Sequence, residues 1–126
     1  MATNNTGGIL VFDLPSLPQQ GGHHVRVFNN QSVGNNTDNF APEGNIVGEV
    51  PRGTGIIIQA NSDVEIFDNI IGDNDTVNIA VVTYGNDTDD EEYYPHPKSI
   101  QIHGNEFGPT GYHPDTSKGE LAQILC

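Results

Sequence analysis

The chain has 126 residues, and 17 Asp and Glu against 4 Lys and Arg give it a net charge of −13 at pH 7. This length suits a single domain, residues 1–126, and the charge argues against nucleic acid, whose phosphates attract clustered Lys and Arg. No apolar run reaches the roughly 20 residues that span a membrane, and the N-terminal residues do not form a signal peptide. Cys126 is the only cysteine, which excludes an internal disulfide. Val and Ile total 22 against 10 for Ala and Leu, which predicts strands rather than helices.

A short apolar strand is predicted three times along the chain, at 8–12, 55–59 and 78–82. The second and third copies begin 23 residues apart. A repeat of this length is typical of proteins in which each unit is stabilised by stacking on its neighbours.

A second strand follows each copy of the first, at 25–30, 64–69 and 100–105. Apolar and polar residues alternate in it, which predicts one buried face, and each copy ends in Asn. Stacked copies would align these residues in an internal amide ladder, formed by Asn30, Asn69 and Asn105.

The second strand type continues into a third stretch. In the middle copy it runs through Ile71 to Asn74, and the last copy carries Phe107 at the position of Ile71. In the first copy Val33 and Asn36 arrive one residue late, which predicts a one-residue insertion there.

These repeats predict an all-β fold: a short right-handed parallel β-helix, or solenoid, of about three coils with three loop insertions. The predicted coils cover about 8–54, 55–77 and 78–113, followed by a tail at 114–126, and the insertions lie near 14–22, 36–54 and 84–98. Handedness follows from the rule for parallel crossovers. An antiparallel meander would favour Asn-Gly or Asp-Gly turns, and neither dipeptide occurs. Open ends of such a helix expose strand edges, so we expect homo-oligomers.

The third insertion carries the densest charge. Its acidic loop, residues 87–92, contains five carboxylates whose oxygens would suit Ca²⁺; they are Asp87, Asp89, Asp90, Glu91 and Glu92. The alternative is a solvated loop, which is what acidic runs usually form.

Aromatic and cationic residues near this loop and on the second strand type are candidate saccharide contacts, because rings stack on sugar faces and cations pair with uronates. They are Tyr84, Tyr93, Tyr94, His96, Arg26 and Lys98. The alternative for the rings is packing of the loop, and for the cations a solvated surface. A metal site built from histidines is a further option, with His23, His24, His96, His103 and His113 as the available residues.

The pattern V-x-I-x-x-N-x-I-x-x-N at 64–74 resembles the parallel β-helix repeat of pectate-lyase-like proteins. With TGGILVFDLP at 6–15, NFAPEGN at 39–45 and IHGN at 102–105, the chain is similar to a bacterial family of parallel β-helix domain-containing proteins. The resemblance covers almost the whole chain and suggests an internal or C-terminal piece of a longer protein. It implies export to the periplasm or the exterior. The family has no assigned reaction, so the resemblance implies none for this chain.

The sequence therefore leaves three functions open. The first is a carbohydrate-associated protein, either a polysaccharide-active enzyme or a remnant of one. The second is a non-catalytic saccharide-binding or scaffold module. The third is a metal-binding protein that uses the acidic loop or the histidines. The fold alone does not choose among them, because function depends on the site rather than on the scaffold.

Overall fold

The β-branched runs form strands throughout the part of the chain that the computed structural model describes, namely residues 1–16, 18–42, 44, 46–83, 90–91 and 93–116. The strands are β1 (Gly7–Phe12), β2 (His23–Phe28), β3 (Gln31–Val33), β4 (Thr54–Gln59), β5 (Ser62–Phe67), β6 (Ile70–Gly72), β7 (Val77–Val82), β8 (Lys98–His103) and β9 (Glu106–Phe107). A single 3₁₀ turn, Ile46–Glu49, accompanies them within these ranges. The predicted all-β class is confirmed. No helix in these ranges is long or apolar enough to cross a membrane.

The strands form three parallel sheets of three strands each. The first sheet has the order β1-β4-β7, the second β2-β5-β8 and the third β3-β6-β9. Strands β1–β3, β4–β6 and β7–β9 therefore make up a first, a middle and a third repeat. The pairing confirms the alignment predicted for both strand types, because Ile9 pairs with Ile56 and Val64 with Ile100.

Side chains from all three sheets meet in one apolar core. Ile56 and Ile58 come from the first sheet, Val64 and Ile66 from the second, and Ile71 from the third, and each is at most 1% exposed. Full burial of such a side chain contributes about 1.5–3 kcal/mol. The core is thus centred on the middle repeat, which has a neighbour on both sides.

The third sheet corrects the expected one-residue insertion. Ser32, rather than Val33, pairs with Ile71, and it is fully buried with its hydroxyl donating to the Gly55 carbonyl oxygen at 2.9 Å. Asn35, rather than Asn36, stacks on Asn74. Ser32 interrupts the apolar pattern, but its hydrogen bond to a backbone carbonyl allows it to be buried in register. The apolar pattern therefore placed the alignment one residue too late.

The column formed by Asn30, Asn69 and Asn105 is joined by hydrogen bonds. Asn69 Nδ2 donates to Asn105 Oδ1 at 3.0 Å and to the Val27 carbonyl oxygen at 2.9 Å. The backbone N–H of Asn30 donates to Asn69 Oδ1 at 3.0 Å. The left-handed backbone belongs to the preceding residues, which are Asn29, Asp68 and Gly104 with φ of 56°, 55° and 64°.

A second asparagine column lies at the end of the third sheet. Asn5 Nδ2 donates to Asn35 Oδ1 at 3.2 Å, and Asn35 Nδ2 donates to Asn74 Oδ1 at 3.2 Å. Asn74 Nδ2 in turn donates to Asn78 Oδ1 at 3.1 Å. Asn35 and Asn74 are completely buried, so each amide replaces water for its neighbour.

The insertions pack against the sheets and one another. In the segment between β3 and β4, Val47 and Val50 line a small apolar pocket with Leu10 and Ile57 on the outer face of the first sheet. In the segment between β7 and β8, Asp90 Oδ2 accepts a hydrogen bond from the Ser16 backbone N–H at 2.8 Å, in the loop after β1. Long insertions are therefore anchored to the scaffold at these points.

Candidate functional site: the outer face of the second sheet

The second sheet turns one set of side chains to the core and the other to the outside, as alternation along a strand requires. In-register parallel pairing places equivalent residues of the three repeats in rows about 4.8 Å apart per strand. Three such rows make up the outer face. They are a ring column (Phe28, Phe67 and His103), a charged row (Arg26 and Glu65, with the neutral Gln101 in register) and a row that we call the bulge row for its left-handed backbone, although no strand has an extra residue there (His24, Asp63 and Ser99).

The ring column is a continuous stack. The Phe28 and Phe67 centroids lie 5.0 Å apart with the planes 8° from parallel. The Phe67 and His103 centroids lie 5.3 Å apart with the planes at 2°. Phe28 remains 46% exposed, so the column offers an apolar, polarisable strip to the outside.

Glu65 links the ring column to the charged row. Its Oε2 lies 2.7 Å from His103 Nε2, and its Oε1 lies 3.7 Å from Arg26 Nε. The Arg26 side chain is 73% exposed. Ion pairs this exposed contribute at most about 1 kcal/mol to stability, so the main effect of the pairing is to orient the three side chains.

The bulge row has an unusual backbone. His24, Asp63 and Ser99 have φ of 58°, 54° and 58°, and each falls between two paired residues of its strand. Left-handed backbone is uncommon for residues other than Gly and Asn. The same conformation at all three levels therefore marks a built feature of this face.

The charged and bulge rows together line a shallow depression of about 440 Å³, bounded by His24, Arg26, Asp63, Glu65, Ser99 and Gln101. From this set the sequence indicated Arg26 as a saccharide contact and His24 as an available residue for a metal site. The aligned repeats contained a signal for the bulge row. In each copy of the second strand type, one polar residue stands directly before the first inward Val or Ile.

The other predicted saccharide contacts lie outside these three rows. Tyr93 is 6% exposed and its hydroxyl donates to the Asp13 carbonyl oxygen at 2.7 Å, which packs the loop against the scaffold. Tyr94 is exposed and meets the His96 ring edge-on at 5.5 Å. Lys98 begins β8 and is exposed. Tyr84 lies outside the described residues.

The predicted calcium ligands are only partly within the described residues, since Asp87, Asp89 and Glu92 fall outside them. Asp90 accepts hydrogen bonds from the Ser16 backbone and from the Gln20 side-chain amide. Glu91 is exposed. Over the described ranges, no three His, Cys, Asp or Glu side chains come together as a metal site would require.

No family model, curated protein or solved structure matches this chain. Hydrogen-bonding groups of both signs lie beside an apolar strip, with the same order in each repeat.

Proposed function

We propose that this chain is a short right-handed parallel β-helix of about three coils that binds a saccharide chain along the outer face of its second sheet. The winding is supported by the strand order, in which the chain passes through all three sheets before it returns to the first. The hand is supported by the strong preference of parallel crossovers. The resemblance to bacterial parallel β-helix domain-containing proteins agrees with this proposal.

One observation carries the binding proposal: the outer face presents the same order of side-chain positions at every level, although the charge at each position differs. A ring, a hydrogen-bonding side chain and a bulge residue occur in the same order in β2, β5 and β8. A linear saccharide also repeats its hydroxyl groups and its apolar C–H patches from unit to unit. Equivalent contacts from successive levels would add, as in other multivalent contacts.

The charge of the chain favours a neutral saccharide over an acidic one. At −13 the protein repels polyanions. Arg26, a cation of this face, lies beside Glu65, so part of its charge is already compensated.

Cleavage of the bound chain is a second candidate, favoured by Asp63 and Glu65. Both carboxylates border the same depression and belong to the same strand. Glycoside hydrolysis generally uses two carboxylates that flank the scissile bond.

The test is titration calorimetry with neutral and uronate-containing oligosaccharides, with and without Ca²⁺. The same mixtures are then analysed for shortened products. We expect heat with a neutral oligosaccharide and its loss in Phe67→Ala and in Gln101→Ala. Tyr112→Ala is the matched control, because Tyr112 is an aromatic residue that is 74% exposed and lies outside the face.

Absence of binding to every oligosaccharide would overturn the proposal. So would equal weakening in Tyr112→Ala and Phe67→Ala. Shortened products that disappear in Asp63→Asn and Glu65→Gln, with binding retained, would assign cleavage to this face.

A further inference from the structure

The outer face of the first sheet carries a depression of its own. The described residues that border it include none from the outer face of the second sheet. Its volume is about 350 Å³, which lies within the range of small-molecule sites. Leu10, Val47 and Val50 form an apolar floor, and residues from 4–7 and 37–41 form the two sides. We call this depression the first-sheet pocket.

The sides of the first-sheet pocket are fixed by hydrogen bonds within the chain. Thr37 Oγ1 donates to the Asn4 carbonyl oxygen at 2.8 Å, which ties the two sides together. Asn39 Nδ2 donates to the Val47 carbonyl oxygen at 2.8 Å and to that of Val50 at 3.0 Å, which ties one side to the floor. A ligand therefore meets a pocket that is already formed, and the entropy of ordering these segments does not oppose its binding.

Phe40 borders this pocket with its ring in solvent. The residue is 88% exposed, so its ring contributes little to the packing of the segment between β3 and β4. The adjoining backbone is held, because the Ala41 backbone N–H donates to Asn39 Oδ1 at 3.0 Å. A ligand ring in the pocket would cover part of the Phe40 ring, and aromatic pairs are favourable beyond the area that they bury.

The pocket is neutral in a strongly acidic chain. Among the residues that the structure describes, those bordering the pocket carry no charge, and the neighbouring Asp38 pairs with Arg52 Nη1 at 3.4 Å. The side-chain amides of Asn4 and Asn5 are available types of both donor and acceptor at the border. The aliphatic floor offers no partner to a hydroxyl group. A ligand that fits therefore has a flat apolar body and one polar edge, rather than hydroxyl groups on every side.

We propose that the first-sheet pocket binds a small neutral aromatic compound with one polar substituent, such as a phenol or an aryl amide. The ligand ring packs on the aliphatic floor and against Phe40. Its hydroxyl or amide group meets the side-chain amides of Asn4 and Asn5. This site does not depend on saccharide binding at the second sheet, because the two surfaces are built from different residues.

Chemical-shift perturbation of the full ¹⁵N-labelled chain tests the proposal with three probes. They are 4-hydroxybenzamide, its anionic counterpart 4-hydroxybenzoate, and the saccharide methyl β-glucoside. We expect 4-hydroxybenzamide to shift the Leu10, Thr37 and Ala41 amide peaks saturably, with a Kd of about 1 mM for a probe this small. The Phe67 and Gln101 peaks of the second sheet should keep their positions. We expect 4-hydroxybenzoate to bind at least about 10-fold more weakly, because its carboxylate loses hydration and is repelled by the acidic chain.

Substitutions of Phe40 separate the ring from the rest of the pocket. Phe40→Ala should weaken 4-hydroxybenzamide binding about 10-fold, whereas Phe40→Tyr keeps the ring and should retain the affinity. Tyr112→Ala is the matched control, because Tyr112 is an aromatic residue that is 74% exposed and does not border the pocket.

Three results would overturn the proposal. The first is the absence of saturable shifts at Leu10, Thr37 and Ala41 with 4-hydroxybenzamide. The second is equal weakening in Phe40→Ala and Tyr112→Ala. The third is binding of 4-hydroxybenzoate or methyl β-glucoside at these residues as tightly as 4-hydroxybenzamide, which would assign the pocket to a different class of ligand.

Discussion

The second strands of the middle and third repeats share the same alternation of apolar and polar residues, yet their apolar residues differ in burial. Val64 and Ile66 in the middle repeat are 1% and 0% exposed, whereas the equivalent Ile102 in the third repeat is 43% exposed. The two strands pair in register. They differ in that β5 has a strand on both sides, whereas β8 lies at the edge of the sheet. Burial in this protein is therefore a property of the stack, and the same substitution should have different effects at different levels.

The largest effect is expected from Ile66→Ala. This side chain is completely buried among residues of all three sheets, and truncation of such a residue costs about 2–5 kcal/mol because a cavity remains. Urea unfolding should therefore give a free energy of unfolding lower by about 4 kcal/mol. Ile70→Ala is the control, because Ile70 is 42% exposed in the same repeat, and should change stability by about 0.5 kcal/mol or less. Equal losses would contradict the described core.

Gly55→Ala tests the close approach between repeats. A Cβ at Gly55 would lie 2.5 Å from the Asn78 carbonyl oxygen and 2.7 Å from Asn74 Nδ2. We expect a loss of about 3 kcal/mol, as for severe overpacking. Gly21→Ala separates the steric effect from backbone strain, because Gly21 has φ of +75° but open space around its Cβ position, and it should cost only about 1–2 kcal/mol. Thermal melts of both variants measure the two costs, and a loss at Gly55 no larger than that at Gly21 would contradict the close approach between repeats.

Asn69→Ala and Asn105→Ala compare the asparagine column at the two levels. Asn69 is 1% exposed, and its removal leaves the Asn30 N–H and the Val27 carbonyl oxygen without their partner. A loss of about 2–3 kcal/mol is expected, since buried polar groups without partners are costly. Asn105 is only partly buried, so water can replace it and the loss should be about 1 kcal/mol. If chemical denaturation gives the reverse order, the column does not stabilise the stack from within.

Ile102→Ala is the smallest change and measures the end of the stack. Ile102 is the partner of Ile66 in the second sheet but is 43% exposed, so its truncation should lower the free energy of unfolding by about 0.5 kcal/mol or less. Urea unfolding of this variant beside Ile66→Ala measures the difference between the two levels. A loss at Ile102 as large as that at Ile66 would show that the third repeat is buried like the middle one.

Much of the arrangement follows from local sequence. Alternation of apolar and polar residues fixed which side chains of β5 face inward, since the period of a strand is two. Similar strands spaced by 23 residues indicated the pairing of β4 with β7. The Asn that ends each second strand marked the column of Asn30, Asn69 and Asn105. These features are visible because each repeat carries its own copy of the pattern.

Other features depend on neighbours that are distant in sequence, and only the tertiary structure determined them. Ser32 can occupy a core position because its hydroxyl donates a hydrogen bond to the Gly55 carbonyl oxygen. The Tyr93 hydroxyl is likewise satisfied in its buried position by the Asp13 carbonyl oxygen. The aligned repeats mark the positions of His24, Asp63 and Ser99 as polar, but their left-handed backbone is visible only in the structure. The sequence by itself determined three similar repeats and a net charge of −13. Stacking decided which repeat is buried and placed the ring column, the charged row and the bulge row on one face. The physical reason is that the repeats above and below a strand, rather than the strand itself, set its burial and contacts.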